Sequence, residues 1–231
     1  VRPTNFIDNQ DKNYEEWYTK DLIESQENFF WNRYKKYLEN QSRAPQFIQR
    51  LDIDSSQIVS RLGDPRRLSF NVKGMVIGHV QSGKTMSYTA VINKAIDAGY
   101  KLIIILAGLT NSLRTQTQAR MNKDLIGKDI LEGPYEKNIS SQKIIGVGQE
   151  DNSKAFAHVA TNIMQDFNKV KSTDLLEYDS LDGPIIIVAK KNVKVLESIN
   201  KRLSDQNSGG KLKKTPVLLI DDESDNASVN T

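Results

Sequence analysis

The stretch Gly78-His79-Val80-Gln81-Ser82-Gly83-Lys84-Thr85 fits the phosphate-binding loop pattern G-x-x-x-x-G-K-[ST] at every fixed position. The apolar run Met75-Val76-Ile77 comes immediately before it, and we expect that run to be a buried parallel strand. The segment 86–98 follows the loop and is predicted to be a helix that Gly99 ends. The sequence therefore predicts a strand, a phosphate-binding loop and a helix, in that order.

Such a loop brings three kinds of phosphate ligand together. Backbone N–H groups point inward at the start of the helix, where the helix dipole favours an anion. Glycine at two positions lets the backbone approach the phosphates without a clash from a Cβ atom. Lys84 would bind the β- and γ-phosphates, and Thr85 would hold Mg²⁺ through its hydroxyl. The alternative is a glycine turn with a solvated lysine. The residues predicted to bind the nucleotide are Gly78, Gln81, Ser82, Gly83, Lys84 and Thr85.

A second motif, Val217-Leu218-Leu219-Ile220-Asp221-Asp222-Glu223-Ser224-Asp225, joins an apolar run to a group of carboxylates. The run predicts a central strand, and open α/β sheets bind ligands at the carboxyl ends of their strands. An Asp there can hold Mg²⁺, usually through water, and an adjacent Glu can deprotonate the attacking water. Asp221 and Asp222 both precede Glu223, so two registers fit, and we prefer Asp222 as the metal partner. The alternative is an acidic, solvated loop. The predicted catalytic residues are Lys84 and Glu223, and the predicted metal ligands are Thr85 and Asp222.

The composition indicates a globular protein with a polar surface. Among 231 residues, 38% are apolar and 26% are charged, and the net charge of +3 is too small to imply nucleic-acid binding by itself. The absence of cysteine excludes disulfides and thiolate metal sites and fits a cytoplasmic location. The longest apolar run, 102–109, is too short to span a bilayer, so we expect no membrane partner. Since the chain lacks an initiator Met, we expect a fragment of a longer protein.

From about residue 70 onward, predicted strands and helices alternate, which indicates a parallel sheet with helices on both faces. The first third differs, because its aromatic-rich stretch 13–40 predicts one or two amphipathic helices that form core packing, with base stacking as the alternative. A shorter helix is expected to begin at Asp54. The predicted strands lie near 72–77, 102–107, 143–147, 184–189 and 216–221, and the predicted helices of this part lie near 84–98, 111–122, 153–169 and 192–205.

Polar and basic residues follow two of the predicted strands. Thr110 and Arg114 come after strand 102–107, and Lys190 and Lys191 come directly after strand 184–189. Hydroxyls, N–H donors and cations at the carboxyl ends of strands suit a nucleic-acid backbone. An ordinary helix cap with a solvated polar face explains these residues equally well.

Four stretches of this sequence resemble the bacterial Z-one domain family. They are 76–85, 94–101, 106–118 and 220–231. The V-Q-S-G-K-T loop followed by a D-A-G-Y-K turn is far more specific than the general loop pattern. The resemblance covers roughly 70–120 and 184–231 well.

This resemblance implies a superfamily-two helicase-like P-loop ATPase, of a family often labelled as endonucleases, in bacterial restriction or phage-defence gene clusters. Its fold would be α/β, with a RecA-like P-loop NTPase domain over 67–231 and an N-terminal helical accessory region over 1–66. The cofactors would be ATP and Mg²⁺, and the partners would be nucleic acid, foremost DNA, and other defence-system proteins.

The resemblance also carries departures and alternatives. The stretch Asp222-Glu223-Ser224-Asp225 varies the D-E-A-D box by a serine in place of alanine. The third helicase motif and a second RecA-like domain would lie beyond Thr231, so we expect this chain by itself to hydrolyse ATP weakly. A nucleotide-dependent switch that binds partner proteins is one alternative function, and an endonuclease subunit is another.

Overall fold

Four parallel strands form the sheet of the computed structural model, in the order β2-β3-β1-β4. The structure describes residues 16–77, 83–129, 143–153, 157–164, 166–167, 183–208, 215–222 and 224. Of the predicted site residues, Gly78, Gln81, Ser82 and Glu223 lie outside this part of the chain. The strands are β1 (Leu102–Ala107), β2 (His158–Val159), β3 (Ile185–Ala189) and β4 (Val217–Asp222).

Helices precede, connect and cover these strands. A π-helical turn, Asn122–Ile126, continues directly from α5, and a 3₁₀ helix spans Gly146–Gln149. Within the described residues, no helix combines the length and hydrophobicity that crossing a bilayer requires. The α-helices are α1 (Lys20–Ser25), α2 (Phe29–Asn40), α3 (Pro45–Ser60), α4 (Lys84–Asp97), α5 (Asn111–Met121) and α6 (Val193–Ser208).

The strands β1 and β3 are buried on both faces of the sheet, whereas β4 exposes Leu219. β1 lies between β3 and β4 and pairs in parallel with each. Ile103 of β1 belongs to the same buried cluster as Ile92 of α4, whereas Ile104 packs with Val195 and Ile199 of α6. Successive strand residues face opposite sides, so the continuous apolar sequences of β1 and β3 are what a strand covered on both faces needs. The predicted α/β class with a parallel sheet is confirmed.

The N-terminal helices pack mainly on α4. Trp31 and Tyr34 of α2 are buried in one cluster with Ala90 of α4, whose small side chain permits close approach of the two helices. Trp17 is also buried, and its indole Nε1 donates to the carbonyl of Leu62 at 2.7 Å. These aromatic side chains therefore form core packing, as the sequence predicted, and they are not available for base stacking.

Asp97, at the end of α4, forms hydrogen bonds with the start of α2. Its carboxylate oxygens accept from the backbone N–H groups of Phe30 at 3.0 Å and Trp31 at 2.8 Å. The residue at the N-cap position of α2, Asn28, makes no side-chain cap. The carboxylate therefore caps the free N–H groups of α2 from a different helix. Burial raises the pKa of Asp97 to about 6.

The run before the phosphate-binding loop is not the buried strand that we predicted. Residues 71–77 are irregular, and Met75, Val76 and Ile77 are 78%, 61% and 88% exposed. An apolar run becomes a strand only when a neighbouring strand supplies hydrogen bonds along its length. Within the described residues the run pairs with no strand, although the outer edge of β4 has no partner in the described sheet.

Three other predicted elements also differ. Residues 143–147 form no strand: Ile144 makes one isolated bridge, and Gly146 adopts a positive φ of 52°, where a Cβ would lie 2.0 Å from the Lys123 carbonyl oxygen. The described part of the predicted helix 153–169 contains β2, because the open edge of β3 pairs with it. The helix α3 begins at Pro45, not at Asp54, since proline is favoured in the first helical turn.

Candidate functional site

The start of α4 is open to an anion. Gly83 precedes the helix with a φ of +86°, a conformation that favours glycine, and makes no side-chain cap. The first turn carries no acidic residue, and Lys84 is exposed. The free N–H groups and the helix dipole therefore meet no negative side chain in this turn, which is what a phosphate site at a helix N-terminus requires.

Thr85 and Asp222 come together around Tyr88. Tyr88 lies one helical turn after Thr85 on α4, and the side chains of Thr85 and Asp222 both influence the pKa of its hydroxyl, although that buried hydroxyl makes no hydrogen bond of normal geometry. Burial raises the pKa of Tyr88, and the negative charge of Asp222 raises it further. The two predicted metal ligands, one from each motif, thus both lie near the side chain of Tyr88.

The donor set of this site fits Mg²⁺. A threonine hydroxyl and an aspartate carboxylate offer the hard oxygen ligands that Mg²⁺ prefers, and Mg²⁺ in nucleotide sites typically takes few protein ligands. Arg120, in the last turn of α5, also reaches the site, since its Nη1 donates to Thr85 Oγ1 at 2.8 Å. Among the described residues, no group of three or more His, Cys, Asp or Glu side chains is placed to hold a metal ion.

The two neighbouring aspartates of β4 have different partners. Asp221 forms an ion pair with Lys191, with 2.5 Å between Oδ1 and Nζ. The lysine side chain is 6% exposed and the aspartate side chain 46% exposed. Because successive residues of a strand point to opposite faces, Asp222 is directed towards α4 while Asp221 is directed towards the start of α6. This geometry favours the register in which Asp222 is the metal partner.

Arg114 does not lie on the surface. It is 3% exposed, and its Nη1 and Nη2 donate to the backbone carbonyls of Asn162 at 2.8 Å and Ile163 at 2.7 Å. Burial lowers the pKa of its guanidinium. A group with this burial and these partners anchors the segment after β2, so the structure gives Arg114 a structural role, and its contact with nucleic acid stays a prediction that this burial does not favour. The same holds for Lys191, whose side chain is 6% exposed and paired with Asp221.

Thr110 and Lys190 are the two predicted nucleic-acid residues that remain at the surface of the sheet's carboxyl edge. The Thr110 hydroxyl caps α5 by accepting from the N–H of Leu113 at 3.2 Å. Lys190 Nζ donates to Asn111 Oδ1 at 2.9 Å in an exposed contact. The ends of β1 and β3 are also joined directly, since the N–H of Lys191 donates to the carbonyl of Gly108 at 2.8 Å.

Sequence reasoning missed two residues of the site. Tyr88 was predictable, because a side chain three positions after Thr85 on a helix must lie on the same face. No motif or spacing near Arg120 in the sequence indicates its place in the site. It belongs to the last turn of another helix, α5, and contacts Thr85 only through the tertiary fold.

Comparisons with known proteins add no relative, because no family model, no curated protein and no solved structure matches this chain.

Proposed function

We propose that this chain is the ATP-binding and ATP-hydrolysing domain of a helicase-like or translocase protein that acts on nucleic acid. The observation that carries the proposal is the meeting of Thr85 and Asp222 beside Tyr88, at the open start of α4. A chance G-x-x-x-x-G-K-T pattern gives no reason for an aspartate at the end of a distant strand to lie near the same tyrosine as its threonine. Nucleotide hydrolysis in a RecA-like domain requires that placement.

Each residue has one task in the proposed reaction. Lys84 binds the terminal phosphates, and the N–H groups at the start of α4 hold the phosphate oxygens. Thr85 and Asp222 hold Mg²⁺, which would neutralise charge on the phosphates. Glu223 orients the attacking water and takes its proton. Catalysis is then mainly positioning and charge stabilisation, as in other phosphoryl transfers to water.

A nucleotide-dependent switch that binds partner proteins is the second candidate. The burial of Arg114 and of the Lys191 side chain favours it, because two of the predicted contacts to nucleic acid are thereby disfavoured. The effect of added DNA on the rate of ATP hydrolysis distinguishes the two functions. A translocase hydrolyses ATP faster when DNA is added, whereas a switch keeps the same turnover with or without DNA. The resemblance to the Z-one domain family supports the first function, which would then belong to bacterial restriction or phage defence.

The decisive experiment is nucleotide binding by calorimetry. Lys84→Ala should abolish detectable binding of ADP with Mg²⁺, because the exposed ammonium is removed from the start of α4. Lys101→Ala is the matched control, since Lys101 is also exposed but precedes β1, at the amino edge of the sheet. The control should bind as the wild type does. Equal affinity of a folded Lys84→Ala protein would refute the nucleotide site.

A further inference from the structure

Arg120 donates a hydrogen bond to the Thr85 hydroxyl, which the metal would need as a ligand. Its Nη1 lies 2.8 Å from Thr85 Oγ1, although the two residues belong to different helices. Arg120 is exposed, so solvent reaches its side chain and no dense packing fixes it in this position. A guanidinium has donors only, and a threonine hydroxyl oxygen has two lone pairs. One of these lone pairs is therefore bound to a cationic group before any metal arrives.

The charge of Arg120 acts on the same group as the charge of Asp222. The carboxylate raises the pKa of Tyr88, while the guanidinium lowers it. The Asp222 carboxylate and the Arg120 guanidinium are thus both close to the Tyr88 hydroxyl. The guanidinium lies beside the Thr85 oxygen of the candidate metal site. Arg120 also opposes the effect of burial on the pKa of Asp124, one helical turn further along the chain. Asp124 is therefore a second acidic group that the charge of the guanidinium influences.

We propose that Arg120 and Mg²⁺ compete for the Thr85 hydroxyl, so that Arg120 sets the metal requirement of nucleotide binding. This inference rests on the proposed function. A guanidinium and Mg²⁺ on one oxygen atom would place like charges within a few ångströms of each other. The guanidinium must then move away, which its exposed and flexible side chain allows. Arg120 is a positioning residue here: it balances Asp222 while metal is absent and raises the Mg²⁺ concentration needed when nucleotide binds.

The test measures the Mg²⁺ requirement and not turnover. ADP is titrated into the protein by calorimetry over a series of Mg²⁺ concentrations, and the Mg²⁺ concentration that gives half of the gain in ADP affinity is determined. Arg120→Gln should lower that concentration by about three- to tenfold, the size expected when one exposed charge is removed near a cation site. ADP affinity in the presence of a chelator should not change.

Two further variants control for charge. Arg120→Lys keeps a cation at this position and should keep most of the wild-type Mg²⁺ requirement. Arg66→Gln removes the same charge elsewhere and should have no effect. Arg66 pairs with Asp64 in an exposed turn, and its neighbour Pro65 lies near Gly99, beyond the other end of α4, since a Cβ added at Gly99 would be 3.8 Å from the Pro65 ring. With a rise of about 1.5 Å per residue, that end lies roughly 20 Å from Thr85.

A double-mutant cycle isolates the competition. In a Thr85→Ala background the contested hydroxyl is gone, so Arg120→Gln should no longer change the Mg²⁺ requirement. An unchanged requirement in Arg120→Gln alone overturns the inference. So does an equal loss of ADP affinity with and without Mg²⁺, because Arg120 would then be a phosphate ligand. In both cases wild-type ADP binding survives and so does the proposed function, whereas a wild type that binds no ADP overturns both.

Discussion

Two arginines of α5 have opposite environments, although only one and a half turns separate them. Arg114 is buried, and its guanidinium binds two backbone carbonyls of the segment after β2. Arg120 is exposed and reaches the hydroxyl of Thr85 across the gap to α4. The sequence around each is similarly polar. What separates a structural arginine from a functional one is the direction in which the helix presents it, and that direction depends on the packing of α5 against the sheet.

The burial of Arg114 leads to a prediction about stability. Arg114→Ala leaves the carbonyls of Asn162 and Ile163 without their donor, which should lower the free energy of unfolding by about 1–3 kcal/mol. Urea denaturation measures this loss. The salt dependence of nucleic-acid binding should not change, because a buried guanidinium releases no counterion. A variant with normal stability and a salt slope reduced by about one unit would instead make Arg114 a phosphate contact.

Among the helices and strands, the sequence predicted those whose formation depends on their own hydrophobic pattern and caps. The strands β1, β3 and β4, and the helices α4 and α5, lie within about one residue of the predicted bounds, since continuous apolar runs and caps are local signals. The strand β4 was predicted to be central, but it lies at an edge of the described sheet. Elements that depend on a partner were missed. The run 72–77 is apolar but unpaired, and β2 exists because β3 offers it an edge.

The candidate site also combines features that the sequence predicts with features that only the structure shows. Its two motifs were predictable because each is contiguous in sequence and its chemistry depends on residue type and spacing. The choice between Asp221 and Asp222 needed the structure, because it depends on which face of β4 meets α4 and which meets Lys191. The contact of Arg120 with Thr85 likewise depends on tertiary packing alone.

The junction of α2 with α4 should make stability depend on pH. Burial raises the pKa of Asp97 from 3.8 to about 6, so between these values the folded protein binds more protons than the unfolded chain. Linkage then requires the free energy of unfolding to fall as the pH rises through this window. The contribution is complete below 3.8, is lost above about 6, and amounts to at most about 3 kcal/mol.

Asp97→Asn tests this prediction by urea denaturation at several pH values from 4 to 7. The variant cannot titrate at this position, so its part of the wild-type fall should disappear. Asp124, whose pKa burial also raises to about 6, contributes in the same direction, and Asp124→Asn should remove that second part. If Asp97→Asn keeps the full pH dependence, the carboxyl group titrates normally and the capping of α2 is not coupled to protonation.

At the scale of the whole molecule, the nucleotide site and the basic residues share the carboxyl edge of one sheet. The strand β1 is central, and its neighbours β4 and β3 carry Asp222 and Lys190 respectively at their ends. The pair Lys191–Asp221 crosses β1 and links the two sides of that edge. A change at the acidic end of β4 therefore has a direct contact through which it can reach the surface that carries Lys190.

Two adjacent lysines should consequently give opposite results when each is replaced by alanine. Lys190→Ala removes a partly buried cation at the sheet's carboxyl edge, so nucleic-acid affinity should fall for all sequences and the salt slope should drop by about one unit, with stability unchanged. Lys191→Ala breaks a pair that is buried on one side, and should lower the free energy of unfolding by about 1–3 kcal/mol, between the values for exposed and buried pairs. Binding in increasing salt and urea denaturation measure the two effects. If Lys190→Ala leaves the salt slope unchanged, nucleic acid does not lie along this edge, and the switch that binds partner proteins becomes the better account of the nucleotide site.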